Sequence, residues 1–525
     1  MSTVVDFLSS AQGWNAACMV AAALVCVVSV MLGRKENRNL PPGPPGWPII
    51  GNLMQLGPLP HRTMAGWCQK YGPLVYCRLG STPTITASSP QMIRELLWTQ
   101  DETFASRPRT TAGKLMAYHD QNVGLAPYDA HWKLMRRICV EHLLTTRRME
   151  GFQKSRAEEA RDLVQIMFKE AKAENTINMR EHLGGYTMNV VTRMLIGKRY
   201  FGTESMGEKE ATDFRELIHA AIVLHGVFYI PDHVPLLKWI DPNGYRRLFK
   251  KMGTRMDDYY SYIVEEHRKR QRNGEVVDGP KDFVDVLLGL AGENSELHLN
   301  DVEIKALIQD MVVGGTDTAS FTMEWFMLEM IRNPKVMRKV QAELDSVLQK
   351  KATNKHLLEE SDLASLDYLR AAVKETFRIH PVGGFLIPHE SIRDTKVAGY
   401  HVPKGSLILI NTHGLGRNAA VWDNVDEFRP ERFLRPEDKV HLRDSEYRVI
   451  PFGSGKRACP GAQLGQSMLL LGLGRLLHGF DWFPPPGTSR EDIDVMEAYG
   501  LTTPPRTPLR AVAKARLDQS FYSFH

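Results

Sequence analysis

Phe452-Gly453-Ser454-Gly455-Lys456-Arg457-Ala458-Cys459-Pro460-Gly461, near the C-terminal end of a 525-residue chain, is the segment from which the rest can be read. Gly453-x-Gly455-x-x-Ala458 has the look of a dinucleotide loop, but no strand-and-helix crossover unit surrounds it, so that reading is poorly supported. The two glycines instead supply backbone freedom for a tight loop that presents Cys459. Pro460 then suits the first position of a helix running through Leu464 and Met468 to Leu471. At a helix N-terminus the dipole and free amide hydrogens favour a thiolate, which can act as a nucleophile or bind iron. A lone cysteine is also commonly no more than a small buried hydrophobe, so other residues must decide.

Upstream, Glu375 and Arg378 stand at i and i+3 in Lys374-Glu375-Thr376-Phe377-Arg378, on a helix read from about Leu366 to His380 and stopped by Pro381. Alone this is an ordinary surface pair; if buried it needs further donors, and Arg432 in Phe428-Arg429-Pro430-Glu431-Arg432-Phe433 is a candidate third partner. Further back, Asn300 with Glu303 forms a capping box for an apolar run that ends at Arg332, before Asn333-Pro334. Read as one helix it spans about 50 Å. Its middle carries Gly314-Gly315-Thr316-Asp317-Thr318, two glycines that each cost about 1 kcal/mol against alanine. Such a cost suits a close ligand beside an acid and a hydroxyl able to handle protons, or a packing kink between crowded helices. A further helix opens at Asn333-Pro334, with Val336, Val340, Leu344 and Val347 on one face. Short β-like runs at Leu74 to Leu79, Thr84 to Ala87 and Ser406 to Ile410 are too few for a doubly wound sheet. The expected class is mainly α, one large core with a long central helix and small sheets.

Composition agrees with a large folded body. Hydrophobic residues make up 43% and charged residues 24%, and 66 Lys plus Arg against 61 Asp plus Glu leave a net charge of only +5, which argues against nucleic acid as a main partner. The six cysteines form no CxxC pair and no dense framework, as expected in a reducing compartment. Nothing between Phe7 and Gly33 is charged, and Arg34, Lys35 and Arg38 follow, so residues 1-33 read as an uncleaved membrane anchor with the body on the cytosolic side. Residues 34-55 read as a basic and proline-rich hinge, carrying Leu40-Pro41-Pro42-Gly43-Pro44-Pro45-Gly46-Trp47-Pro48, and residues 56-525 as one catalytic domain.

Taken together, the proline hinge, Trp132-x-x-x-Arg136, the glycine-threonine helix, Glu375-x-x-Arg378, Pro430-Glu431-Arg432-Phe433 and the cysteine loop resemble the haem-thiolate monooxygenases of the cytochrome P-450 superfamily, in that family's order and spacing. The resemblance implies the family's fold and haem b, with Cys459 as the axial thiolate on iron, shielded by Phe452. It implies that Trp132, Arg136, His389 and Arg457 hold the haem propionates. Asp317 and Thr318 would be the distal pair that delivers protons during oxygen activation, and Glu375, Arg378 and Arg432 a structural triad. Ala319 stands where the family has Thr or Ser. No flavin or nicotinamide module is present, so the resemblance implies electrons from an NADPH-dependent flavoprotein reductase, which Lys133, Arg137 and Lys456 could steer, and residence in the endoplasmic reticulum membrane.

Within the superfamily the chain is similar to plant in-chain fatty acid hydroxylases of pollen and spore wall formation. The likeness lies in Phe104-Ala105-Ser106-Arg107-Pro108-Arg109, His131 to Thr145, Asp301 to Met311, Phe385 to Ser391 and Ile410 to Asn418. It departs at Gly314 and Gly315, where that group has alanines, and at Phe433, where it has histidine. Both glycines are expected to face and widen the pocket. The expected substrate is a medium-chain fatty acid, with Arg109 holding its carboxylate and Gly314, Phe385 and Leu386 lining the channel. A phenylpropanoid or flavonoid is the second expectation, and a haem protein acting on an oxygenated lipid without activating O2 the third.

Overall fold

The computed structural model describes residues 39–201, 208–241, 243–275, 279–292, 295–349, 357–434 and 446–522. The anchor read at 1-33 lies outside them, and among the described residues no helix is long and apolar enough to cross a membrane.

Helices dominate. The central element is built as expected at its start: the Asn300 side chain accepts from the Glu303 amide at 3.0 Å, and the Glu303 carboxylate accepts from the Asn300 amide at 2.9 Å. It is not one helix, however. Asp301–Gly315 and Asp317–Arg332 are separated by Thr316, whose ψ of −77° leaves the helical ladder. The physical reason is local. Two adjacent glycines lower the resistance to bending, and the Thr316 and Thr318 hydroxyls donate to the carbonyls of Val312 (2.9 Å) and Gly314 (2.6 Å), back-bonding that bends helices. Every residue from Ala319 to Ile331 is buried, so the second half runs through the core with no solvated face.

Asp367–Ile379 and Ala462–Gly479 pack against this second half, and Pro334–Gln349 packs on all three. Ala462–Gly479 begins two residues later than the sequence suggests. Pro460 and Gly461 form a turn, and Gly461 is the residue that caps the helix. Met179–Ile196 closes the core on another side.

The sheets are small. Leu74–Leu79 and Thr82–Ala87 form an antiparallel hairpin; Leu407–Ile410 adds parallel to it, with Thr84 opposite Leu407, and His389–Glu390 adds antiparallel. The last pairing sets His389 opposite Ile408 and brings the 385–390 segment beside the cysteine loop. Ile177–Asn178, Phe480–Phe483 and Arg510–Ala515 form a three-stranded sheet, and Thr395–Val397 pairs with Tyr400–Val402.

Candidate functional site

The cysteine loop is shaped by its own backbone. Gly453 and Gly455 have φ of 64° and 66°, a region open chiefly to glycine, and a Cβ on Gly455 would lie 2.3 Å from the Leu97 carbonyl oxygen. The Cys459 amide donates to the Phe452 carbonyl at 2.8 Å, closing the loop. Protein atoms surround Cys459 at depth, yet the side chain is exposed, which is the condition of a residue on the floor of a concave space. Burial pushes its thiol up, opposed by the Gly461 amide and the Arg136 guanidinium. Phe452 is wedged beside it, edge-on to Phe377 with ring centroids 5.8 Å apart.

On the distal side the two glycines do different things. A Cβ on Gly314 would have nothing within 4 Å, whereas one on Gly315 would lie 2.8 Å from a methyl of Val191. Gly314 thus borders open space, and Gly315 lets Met179–Ile196 approach; the expectation that both glycines widen an open space is corrected at Gly315. Gly315→Ala is therefore expected to lower stability by about 1–2 kcal/mol through overpacking, whereas Gly314→Ala leaves the thermal midpoint unchanged or raised and alters substrate-induced spectral shifts. Thermal midpoints of the two variants at one scan rate check this.

The Thr318 hydroxyl, committed as donor to Gly314, keeps its lone pairs as acceptors. Asp317 accepts from neighbouring His219, with Nδ1 to Oδ2 2.9 Å.

Four basic side chains meet on one flank. Arg457 donates to the carbonyls of Ala105 (2.6 Å), Val123 (3.1 Å) and Ala126 (2.5 Å) and stacks 4.2 Å over Trp132, whose indole N–H donates to Val123 at 3.1 Å. Burial and nearby Arg136 bring Arg457 down to about 9. His389 donates from Nδ1 to the Phe104 carbonyl at 2.8 Å, and burial with Arg107 and Arg457 holds it well below the usual histidine range. Arg107, missed in the sequence, is buried and donates to Gly124 (3.2 Å), Ile387 (2.5 Å) and Pro388 (2.9 Å). Arg136 has no carboxylate partner among the described residues; burial lowers its pKa. So much desolvated positive charge calls for an anion. A haem, with two propionates and an iron that takes a thiolate, fits this donor set: Cys459 could ligate the iron, Arg136 and Arg457 could neutralise the propionates, and neutral His389 could offer its ring nitrogen for a hydrogen bond.

Arg109 lies elsewhere. It is exposed and its charge falls on Asp120 and Glu390, so it is already compensated and does not point to a substrate carboxylate. Leu386 lies close to the cysteine loop, 3.9 Å from where a Gly453 Cβ would be, while Phe385 packs against the cluster that holds Leu407 and Leu409 and meets the His61 ring edge-on. Asp310, also missed, is the buried brace of the 122–124 turn. It accepts from the Val123 amide (2.5 Å), the Gly124 amide (3.3 Å) and Asn122 Nδ2 (3.0 Å), and burial raises it to about 7.

The Glu375–Arg378–Arg432 group is buried and complete. Arg378 bonds Glu375 through Nε (2.7 Å) and Nη2 (2.8 Å), and its remaining donors reach the carbonyls of Gly416, Val425 and Glu427. Arg432 Nε lies 3.3 Å from Glu375 Oε1, and the Arg429 amide donates to the same oxygen at 2.8 Å. The group is joined to the cysteine loop by the Phe377–Phe452 contact. Lys133 and Lys456, both exposed, converge on the Tyr128 ring at 5.0 and 5.8 Å, while exposed Arg137 lies on the same short helix as Lys133.

Away from this space, His61, His413 and Glu497 offer ligand atoms within 4.8 Å of one another. Arg62 grips the Glu497 carboxylate and Arg417 lies 3.3 Å from His413 Nδ1, so two guanidiniums oppose a cation there. The cluster is an ion-pair network that ties Pro60–Tyr71 to the 495–503 segment.

An accessible thiol on a glycine-shaped loop with desolvated cations beside it suits a haem-thiolate protein. A family model described as cytochrome P450 matches residues 41–509, and the chain belongs to that family. It is 48% identical to cytochrome P450 703A2 of Arabidopsis thaliana over 517 residues, covering 96% of this chain and 100% of the relative. It is 49% identical to cytochrome P450 703A2 of Oryza sativa subsp. japonica over 501 residues (93% and 94%), and 37% identical to flavonoid 3'-monooxygenase of Petunia hybrida over 489 residues (92% and 93%). It is a cytochrome P450 monooxygenase, using haem with a thiolate iron ligand and NADPH-derived electrons delivered by a reductase.

Proposed function

We propose that the chain hydroxylates a small lipophilic substrate, in-chain on a medium-chain fatty acid, with Cys459 as the iron ligand. The observation that carries the chemistry is an accessible Cys459 on a glycine-shaped loop flanked by desolvated Arg136 and Arg457. When bound, a haem held by Cys459 would supply oxygen activation, promoted by the electron density of the thiolate. The chain's residues do the rest. Gly461 and Arg136 stabilise the negative sulfur, Phe452 covers it, Arg136 and Arg457 neutralise the propionates, and neutral His389 offers its ring nitrogen for a hydrogen bond. The Thr318 hydroxyl, its own proton held by the Gly314 carbonyl, would accept a hydrogen bond, and Asp317 would supply protons to it. That pair argues against a rearrangement of an oxygenated lipid, which needs no proton delivery.

Support for the fatty acid comes from the likeness to in-chain hydroxylases, which runs through the 104–109, 131–145, 301–311, 385–391 and 410–418 segments. The space at Gly314 favours a second reading, a flat phenylpropanoid or flavonoid. Spectral titration decides: a saturable low-spin to high-spin shift with dodecanoic acid supports the lipid, and a shift with flavonoids alone replaces it. Thr318→Ala is expected to keep haem and substrate binding while product formed per NADPH falls about tenfold or more, with peroxide taking its place. Full, coupled turnover by that variant would sink the assignment. We further propose that residues 1-33 hold the body on the cytosolic face of the endoplasmic reticulum membrane. Lys133, Arg137 and Lys456 then face an acidic reductase on the cysteine side.

A further inference from the structure

We propose that His219, on the helix Glu208–His225, is the solvent-side proton donor to Asp317. The inference rests on the reading of Asp317 and Thr318 as the distal proton pair. Asp317 is the first residue after the break at Thr316, so its carboxylate stands at a helix N-terminus, where negative charge is favoured. Its side chain is 14% exposed and that of His219 is 50% exposed, with Nδ1 and Oδ2 2.9 Å apart. No other side chain among the described residues hydrogen-bonds the Asp317 carboxylate. The imidazole thus links a partly buried acid to the open surface.

The surroundings keep this link single. Phe321, one turn beyond Asp317, meets the His219 ring edge-on at 6.1 Å and closes one side. Across Phe321 stands Arg180, 5.4 Å over the ring and paired with Glu324 at 2.9 Å, so it does not compete for Asp317. On the helix of His219, Arg215 turns to the Phe201 ring at 5.4 Å.

The step is a proton transfer. His219 Nδ1–H passes its proton to Asp317, and the imidazole regains one from bulk water. Hydroxylation consumes O2, two electrons from NADPH through the reductase and two protons; one oxygen atom enters the substrate and the other leaves as water. When protons arrive wrongly, the same electrons and protons leave as H2O2. His219 is a positioning residue that acts through Asp317.

The test uses the full-length holoenzyme with its reductase. In His219→Asn the amide nitrogen occupies nearly the place of Nδ1 and can still bond Asp317, but carries no titratable proton. Expected are unchanged spectral substrate affinity, unchanged hydrogen exchange in the 208–225 helix, and product per NADPH lowered about tenfold. The pH profile of coupling should differ between the wild type and His219→Asn. His219→Ala, lacking the bond as well, should also speed exchange in the helix. Wild-type coupling with an unchanged pH profile in His219→Asn overturns the proposal, leaving His219 a latch. If Asp317→Asn uncouples while His219→Asn does not, only the His219 assignment falls. If Asp317→Asn stays fully coupled, the distal pair itself is wrong and this inference goes with it.

Discussion

Glu375→Ala yields little or no folded, haem-containing protein. Arg378 and Glu375 are each 0% exposed, and the pair is separated from water on every side. Removing the carboxylate leaves a buried guanidinium with three carbonyls but no counter-charge, and strips the Arg429 amide and the Arg432 Nε of their acceptor. Breaking a buried pair in this way costs about 3–5 kcal/mol, against total stabilities of about 5–15 kcal/mol. Relaxation offers little relief, because the five Arg378 donors are fixed by residues from three separate segments. Glu375→Gln keeps the shape and loses the charge, so it should be almost as damaging. Yield of haem-containing protein and thermal midpoint check both; a Glu375→Ala variant with wild-type values would show that the group is dispensable.

Cys459→Ala should fold and lose all monooxygenase activity. The thiol makes no contact on which the loop depends: closure comes from the Cys459 backbone amide on Phe452 and the positive φ of Gly453 and Gly455. Alanine keeps that backbone, so the thermal midpoint of the haem-free protein should be nearly unchanged, while the thiolate-type ferrous–carbon monoxide spectrum disappears. Cys459→His tests the thiolate more narrowly. A neutral imidazole can hold iron but lacks the electron donation that favours O–O cleavage, so haem is retained and hydroxylation lost. Retained hydroxylation in either variant would remove Cys459 from the iron.

These two cases mark how much could be read along the chain. The i, i+3 spacing of Glu375 and Arg378, the proline that stops their helix and the capping box at Asn300 are local, and the structure shows the elements at Asp367–Ile379 and Asp301–Gly315. The β-run at Leu74 to Leu79 is also reproduced. The same local reasoning treated Gly314 and Gly315 as equivalent. Adjacent helical residues face different directions, and which one meets Val191 depends on a helix more than a hundred residues earlier.

Arg109 and Arg107 make the point for charge. Both flank Pro108 and look alike in sequence, yet Arg107 donates to carbonyls of residues 387 and 388 while Arg109 stays at the surface. Asp310 binds a turn 186–188 residues away, and His219 meets Asp317 across 98 residues. Sequence alone determined the cysteine loop, the charged pair, the capped start at Asn300 and the family, because each rests on residues a few positions apart or on their order. Only the tertiary structure decided which glycine abuts Val191, which arginine is buried and that His219 bonds Asp317. Burial and long-range hydrogen bonds exist only once distant segments share a core.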